Sequence, residues 1–177
     1  MPRSEVESLL DVLRSKGLRM SAAESCTGGM IGSLITDLPG ASDVFLGSAV
    51  TYSNESKEAL LKVSHETLLQ HGAVSEETAR EMALGSIEAY GSDVAVAVTG
   101  IAGPGGATET KPVGLVYIAV ADGPRAIVTR NLFKGDRQSV REQTAMEAIR
   151  LLTELAEGRL RDSRDSYRYS EKRDSRR

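Results

Sequence analysis

The residues Val94-Ala95-Val96-Ala97-Val98 form a continuous apolar run, and the glycine-rich stretch Thr99-Gly100-Ile101-Ala102-Gly103-Pro104-Gly105-Gly106 follows directly. Such a run is typical of a strand buried on both faces of a sheet, so we predict that it forms a central strand. Doubly wound sheets usually bind ligands just beyond such strands. The stretch matches neither a Walker loop nor a dinucleotide fingerprint, so its spacing alone indicates only a connector whose backbone can approach a ligand closely.

Helical and strand patterns alternate on both sides of this run. Helical spacing of apolar residues runs from Val6 to Leu13, from Met30 to Leu38, through short segments at 55–63 and 66–71, after Ser75, and from Val140 to Leu155. Further strands are predicted at Leu18 to Ala22, Val44 to Tyr52, Val113 to Ala121 and Ala126 to Phe133. A turn of the hairpin type separates the last two. These patterns predict an α/β fold, a three-layer α/β/α sandwich with a mixed, mostly parallel central sheet.

Length and charge bound the organisation of the chain. Its 177 residues suit one domain, which we place at residues 1–158, followed by a charged, flexible tail at 159–177 where the apolar periodicity ends. The net charge is −3, and the last eighteen residues carry seven basic and four acidic side chains, so the rest is near −6. Broad nucleic-acid binding needs clustered basic residues, and we therefore do not expect it.

The cysteine and histidine content and the apolar runs of the chain indicate where the protein is located and exclude several kinds of site. One cysteine cannot form an internal disulfide, and the two histidines lie in no cluster with the spacing of a zinc site. No apolar run approaches the length that spans a bilayer, and no export signal is evident. We therefore expect a cytoplasmic protein with no metal and no membrane association.

A candidate nucleophile lies in the run Ala23-Glu24-Ser25-Cys26-Thr27-Gly28-Gly29. Ser25 falls where a strand should pass into a helix, so its hydroxyl could face a cleft at the carboxyl edge of the sheet. The N–H groups of Thr27, Gly28 and Gly29 could hold an oxyanion or a phosphate there. Taken alone, the run favours the alternative, a capped helix with close packing at the glycines, because small residues are common where a strand passes into a helix.

Lys57 is the preferred base for Ser25, since His65 and His71 fall in a short peripheral helix. If Asn54 caps the helix that follows the strand, Lys57 lies in its first turn, where the helix dipole lowers the pKa of an amine. Tyr52, at the end of the preceding strand, could relay the proton. The alternatives are a solvated lysine and a tyrosine that packs at a strand end.

Cys26, Arg137 and Arg141 are further candidates for a functional role. Cys26 is a rival nucleophile, but in extended chain it points away from the side shared by Ser25 and Thr27, so we expect it to be buried. Arg137, with Arg141 one turn later, could clamp a phosphate or carboxylate, although surface ion pairing fits equally well.

Taken together, these motifs resemble the CinA C-terminal domain family, over roughly residues 4 to 157. The resemblance rests on the Ser25 run and on the following segments, in order: Val50-Thr51-Tyr52-Ser53-Asn54-Glu55-Ser56-Lys57, His71-Gly72-Ala73-Val74-Ser75, Thr99 to Pro104, Lys111-Pro112-Val113-Gly114 and Gly135-Asp136-Arg137. It implies that Ser25 is the nucleophile and that Lys57 and Tyr52 activate it.

The resemblance also implies a reaction, hydrolysis of the carboxamide of nicotinamide mononucleotide to nicotinic acid mononucleotide and ammonia, without a metal or other cofactor. The implied nucleotide contacts are Thr27, Gly28, Gly29, Thr99, Gly100, Gly103 and Arg137. A homo-oligomer is expected. Larger members carry an additional N-terminal domain, which is linked to dinucleotide pyrophosphatase activity. The alternative function is a non-catalytic nucleotide- or partner-binding module of the competence/damage-inducible type.

Overall fold

A computed structural model describes residues 2–160, so the predicted tail lies outside the described residues except for its first two positions. The helices are α1 (Pro2–Lys16), α2 (Met30–Thr36), α3 (Asn54–Leu61), α4 (His65–His71), α5 (Glu76–Tyr90) and α6 (Arg137–Ala156). The strands are β1 (Met20–Glu24), β2 (Phe45–Val50), β3 (Val94–Gly100), β4 (Leu115–Ala121) and β5 (Ala126–Leu132). A short 3-10 turn, Ala41–Asp43, precedes β2. Within residues 2–160, no helix is both long enough and apolar enough to cross a membrane.

The strands form one mixed sheet in the order β2-β1-β3-β4-β5. The pairs β2–β1 and β1–β3 are parallel, and the pairs β3–β4 and β4–β5 are antiparallel. Four strands therefore run in one direction, and β4 alone among the described strands opposes them. The predicted α/β class, mixed sheet and central position of the Val94 run are confirmed.

Two layers of helices cover the sheet, as the alternation of side chains along β3 requires. Val94, Val96 and Val98 pack into a core shared with α1, α2 and α6. Ala97 faces the other way, into a core shared with α3, α4 and α5. Because alternate residues of a strand point to opposite faces, one valine–alanine run supplies a bulky face for one layer and a flat face for the other.

The register of the parallel strands places the functional segments at one edge of the sheet. Glu24, the last residue of β1, lies opposite Val50 of β2 and Val98 of β3. The chain leaves β1 through α2 on one face of the sheet and leaves β2 through α3 to α5 on the other. This divergence leaves a crevice beyond β1, where open α/β sheets commonly bind ligands.

Helix α3 is held in place by a close approach to α5. A methyl group added at Gly85 of α5 would overlap the carbonyl oxygen of Leu61, the last residue of α3. Because only glycine leaves room for this contact, the two helices lie closer together than a larger residue would allow. The position of Lys57, one turn earlier on α3, depends on that packing.

Candidate active site

Ser25 begins a tight turn directly after β1. Its N–H donates to the carbonyl of Val98 at 3.2 Å, and its own carbonyl accepts the N–H of Gly28 at 3.1 Å. Gly28 and Gly29 have φ angles of 60° and 98°, in the left-handed region where a side chain is strained. This pair of glycines reverses the chain into α2, so the Ser25 side chain lies at the sheet edge with 9% of its surface exposed.

Lys57 enters the site from α3. The N-cap of this helix is Ser53, whose hydroxyl accepts the N–H of Ser56 at 3.1 Å, so the predicted cap at Asn54 is wrong by one residue. Lys57 still lies in the first turn. Its side chain turns inward rather than towards solvent, and it is 1% exposed.

Three oxygen atoms surround the Lys57 amine. Nζ lies 3.1 Å from Ser25 Oγ, and it donates to the carbonyls of Thr51 at 2.7 Å and of Tyr52 at 3.3 Å. A neutral amine has two N–H groups and one lone pair, and a carbonyl can only accept. With both N–H groups directed at the carbonyls, the lone pair of a neutral Lys57 is left for the hydroxyl proton of Ser25.

Burial in the protein lowers the pKa of Lys57 below its ordinary value of 10.5. The cause is desolvation of the ammonium, which loses its hydration shell in this position. The predicted direction is therefore supported, but the reason differs, since the sequence argument attributed the shift to the helix dipole. An amine that loses its proton more readily is better suited to act as a base.

Tyr52 occupies a different place from the one that a proton relay needs. Its side chain is 63% exposed, and its hydroxyl accepts a hydrogen bond from Nη2 of Arg137 at 3.2 Å. Its backbone carbonyl, not its hydroxyl, contacts Lys57. Among the described residues, the hydrogen bonds of the Tyr52 hydroxyl therefore connect it to the rim of the site and not to the Ser25–Lys57 pair.

The cleft beside Ser25 has a volume of about 260 Å³, slightly below the usual range of about 300–1,000 Å³ for small-molecule sites. Besides Ser25 and Lys57, its walls include Thr99, Gly100 and Gly103 from the glycine-rich loop, together with Arg137. Arg137 Nη1 donates to the carbonyl of Gly103 at 2.9 Å, so the start of α6 is tied to this loop. The Thr99 hydroxyl donates to the carbonyl of Ala73 at 2.7 Å.

The three predicted contacts that follow Ser25 lie outside this wall. Thr27 is wholly buried, and its hydroxyl donates to Glu24 at 2.6 Å. The N–H of Gly28 is bonded to Ser25, and that of Gly29 donates to Glu24 at 3.0 Å. Their predicted role in anion binding is thus corrected. The prediction assumed extended chain through Thr27, whereas the turn directs its side chain inward.

Glu24 is the residue that the sequence argument missed. It is wholly buried, and its carboxylate accepts hydrogen bonds from the turn, from α2 and from Ser48 of β2. The sequence signal was a carboxylate at the end of a strand whose other residues are apolar or small. Charged side chains are almost never fully buried without partners, so a glutamate at this position indicates a set of hydrogen-bond donors around it.

Cys26 and Arg141 take supporting positions. Cys26 is 5% exposed, and desolvation raises its pKa to about 11, so it remains a thiol at neutral pH as expected for a small buried side chain. Arg141 donates to the carbonyls of Cys26 at 3.2 Å and of Thr27 at 2.9 Å. Its guanidinium therefore braces the turn rather than forming the predicted ligand clamp.

The described residues offer neither a metal centre nor a histidine relay. No group of His, Cys, Asp and Glu within residues 2–160 has the arrangement of a metal site. His65 is exposed on α4 and lies 2.8 Å from Glu58, and His71 lies at the other end of that helix. The cleft wall includes the amine of Lys57, the hydroxyl of Ser25 and the guanidinium of Arg137.

Comparison with known proteins agrees with the fold and with the motifs. The model of the CinA C-terminal domain family matches residues 3–156. A CinA-like protein of Chloroherpeton thalassium is 50% identical over 153 residues, which are 84% of this chain and 36% of that protein. The chain thus spans about a third of the length of the curated relatives it matches.

Solved structures give the same result. A CinA superfamily protein from Klebsiella pneumoniae superimposes with a TM-score of 0.86 at 32% identity, covering 89% of this chain and 99% of that one. The competence/damage inducible protein CihA from Agrobacterium tumefaciens gives 0.82 at 38% identity, with coverages of 85% and 93%. The chain belongs to the CinA C-terminal domain family.

Proposed function

We propose that this protein is an amidohydrolase that converts nicotinamide mononucleotide to nicotinic acid mononucleotide and ammonia through an acyl-enzyme on Ser25. The observation that carries the proposal is the buried amine of Lys57, 3.1 Å from Ser25 Oγ in the wall of a cleft. Serine needs an adjacent base to become a nucleophile, and this contact supplies one. The choice of amide follows from the family resemblance.

Acylation begins when Ser25 Oγ attacks the carboxamide carbon and its proton passes to Lys57 Nζ. The resulting ammonium donates to the carbonyls of Thr51 and Tyr52, which are already in contact with Nζ. The tetrahedral intermediate then collapses. Its C–N bond breaks as Nζ returns the proton to the departing nitrogen, which leaves as ammonia, and an ester on Ser25 remains.

Backbone N–H groups would stabilise the oxyanion of that intermediate. Those of Ser25, Gly28 and Gly29 already have acceptors, so we assign this role to the N–H of Cys26, a residue of the cleft wall.

Deacylation repeats the same proton transfers with water in place of serine. Water gives a proton to Lys57 and attacks the ester carbon, the C–Oγ bond breaks, and the proton returns to Oγ. The released carboxylic acid then loses its proton to solvent, and the product is the carboxylate of the mononucleotide. A single base thus serves both half-reactions, and neither half-reaction involves another ionisable group of the cleft.

The nucleotide phosphate has a matching group in Arg137. A guanidinium has five N–H donors, and the contacts with Gly103 and Tyr52 engage two of them. The exposed rim position suits a phosphate at the open end of the substrate, while the glycine-rich loop lies along the cleft. In this arrangement Tyr52 orients Arg137, a different role from the activation of Ser25 that the resemblance implies.

Arg137→Met is therefore expected to raise KM for nicotinamide mononucleotide about 10- to 100-fold, the loss typical of one charge-assisted hydrogen bond. Its kcat should change much less. Steady-state ammonia release measures both constants. Nicotinamide riboside, which lacks the phosphate, is the matched control, since wild type and variant should handle it alike. An equal loss with both substrates would contradict phosphate binding by Arg137.

The substrate itself is tested by an ammonia-release assay with purified wild-type protein. Nicotinamide mononucleotide, nicotinamide riboside, the dinucleotide, free nicotinamide and a simple aliphatic amide are compared at equal concentration. The mononucleotide should have the highest kcat/KM. Faster hydrolysis of an unrelated amide would retain the Ser25–Lys57 chemistry but overturn the proposed substrate.

A further inference from the structure

The carboxylate of Glu24 is buried beside the nucleophile and takes part in none of the proton transfers above. Its Oε2 accepts hydrogen bonds from Thr27 Oγ1 at 2.6 Å, Gly29 N at 3.0 Å and Ile31 N at 3.1 Å. Its Oε1 accepts from Gly32 N at 2.9 Å and Ser48 Oγ at 2.8 Å. Five donors thus converge on one side chain, three of them backbone N–H groups that can only donate.

These contacts join three segments around Ser25. The main chain of Glu24 is fixed in the sheet, where its carbonyl accepts the N–H of Thr51 at 2.8 Å. Its side chain holds the start of α2, whose N-cap residue, Gly29, has no side chain to satisfy the first N–H groups. Ser25 and Cys26 therefore lie between the main chain of Glu24, which is fixed in the sheet, and the segment that the Glu24 side chain holds at the start of α2.

Helix α2 is only seven residues long. An isolated helix of that length is not stable in water, so α2 depends on contacts with the rest of the protein, and the Glu24 carboxylate supplies such contacts at its start. Arg141 also holds the turn. Its guanidinium donates to carbonyl groups of the turn, whereas the Glu24 carboxylate accepts from N–H groups. Hydrogen bonds to charged groups are roughly twice as strong as neutral ones.

We propose that Glu24 is a positioning residue, which folds the chain after Ser25 into a fixed turn and thereby holds Ser25 Oγ at the Lys57 amine. It touches neither the substrate nor the reacting atoms. The kinetic test of this inference rests on the proposed function. The chemical test, which measures labelling of Ser25, needs only the Ser25–Lys57 contact. A nucleophile displaced by about 1 Å loses about 100-fold in rate, so loss of the anchor should appear in kcat.

The first test replaces Glu24 with glutamine, which has nearly the same shape. Whichever way its amide is oriented, the new NH₂ faces at least one backbone N–H, that of Gly32 or those of Gly29 and Ile31, so donor meets donor. E24Q is expected to lower kcat about 100-fold with KM within about twofold of wild type. Circular dichroism establishes that the variant is folded.

A second pair of variants leaves the carboxylate in place. Thr27→Val keeps the shape of the buried side chain and removes its hydrogen bond to Oε2, whereas Thr27→Ser retains the hydroxyl. We expect kcat to fall about tenfold in T27V and to stay within about twofold of wild type in T27S. This pair decides the question if E24Q does not fold.

The chemical readout is the rate at which a fluorophosphonate labels Ser25, followed by intact mass, with S25A as the unlabelled control. The labelling rate should fall in parallel with kcat in E24Q and T27V. Wild-type labelling and kcat in folded E24Q, or equal rates in T27V and T27S, would overturn the inference. If wild type is labelled but releases no ammonia, the proposed function fails, and the labelling rates still decide the role of Glu24.

Discussion

Lys57→Met is expected to lower kcat/KM for nicotinamide mononucleotide at least about 1000-fold, because it removes the base while retaining the length of the side chain. Lys57→Arg is the matched control. A guanidinium keeps a positive charge and does not lose its proton in proteins, so it can attract an oxyanion but cannot deprotonate Ser25. Both variants should be equally inactive in the ammonia-release assay. Substantial activity in K57R would assign Lys57 an electrostatic role instead.

The pH dependence of wild type follows from the same amine. Lys57 acts as a base only when neutral, so kcat/KM should rise with pH as the amine loses its proton. Burial lowers the pKa of Lys57, which places the midpoint of this rise below 10.5. A rise centred at or above 10.5 would contradict a desolvated base.

The lowered pKa of Lys57 should also make the free energy of unfolding depend on pH. Where the folded-state pKa of Lys57 is below 10.5, the unfolded chain binds more protons than the folded protein, so wild type gains stability as pH rises towards 10.5. K57M lacks this group. Urea titrations measure the free energy of unfolding of wild type minus that of K57M. This difference should increase with pH between the folded-state pKa of Lys57 and 10.5, and it should be constant below the folded-state pKa. A difference independent of pH would mean that the pKa is unshifted.

Ser25→Ala is expected to reduce kcat about 10⁴-fold or more, since removal of a nucleophile abolishes the covalent route. Cys26→Ala is the matched control at the neighbouring position. Its thiol is buried, and burial raises its pKa to about 11, so it should contribute nothing to turnover. Ammonia release from both variants, with binding of the mononucleotide measured by calorimetry, separates loss of chemistry from loss of binding. Inactive C26A together with active S25A would exchange the roles of the two residues.

Much of the fold could be predicted because local patterns agree with the packing. The valine–alanine alternation of β3 specifies a strand with two unequal buried faces. Asp136, directly before α6, caps that helix by accepting the N–H of Ser139 at 2.8 Å. Ser75 likewise caps α5 through Thr78. Such signals lie within a few residues of the element they start, which is why they can be read from one sequence.

The site was less accessible to this reasoning because its contacts are distant in sequence. Ser25 and Lys57 are 32 positions apart, and they meet only because β1 and β2 are parallel and in register at their ends. Thr27 was misplaced because the alternation of an extended chain does not continue through the left-handed glycines. The pKa of Lys57 depends on burial, which no local pattern shows.

The most direct test of the central claim is product analysis of wild-type protein incubated with nicotinamide mononucleotide beside S25A and K57M. Wild type should produce nicotinic acid mononucleotide and ammonia in equal amounts, and the two variants should produce neither while remaining folded. Wild-type protein that binds the mononucleotide without releasing ammonia would contradict the account and would favour a nucleotide-binding module.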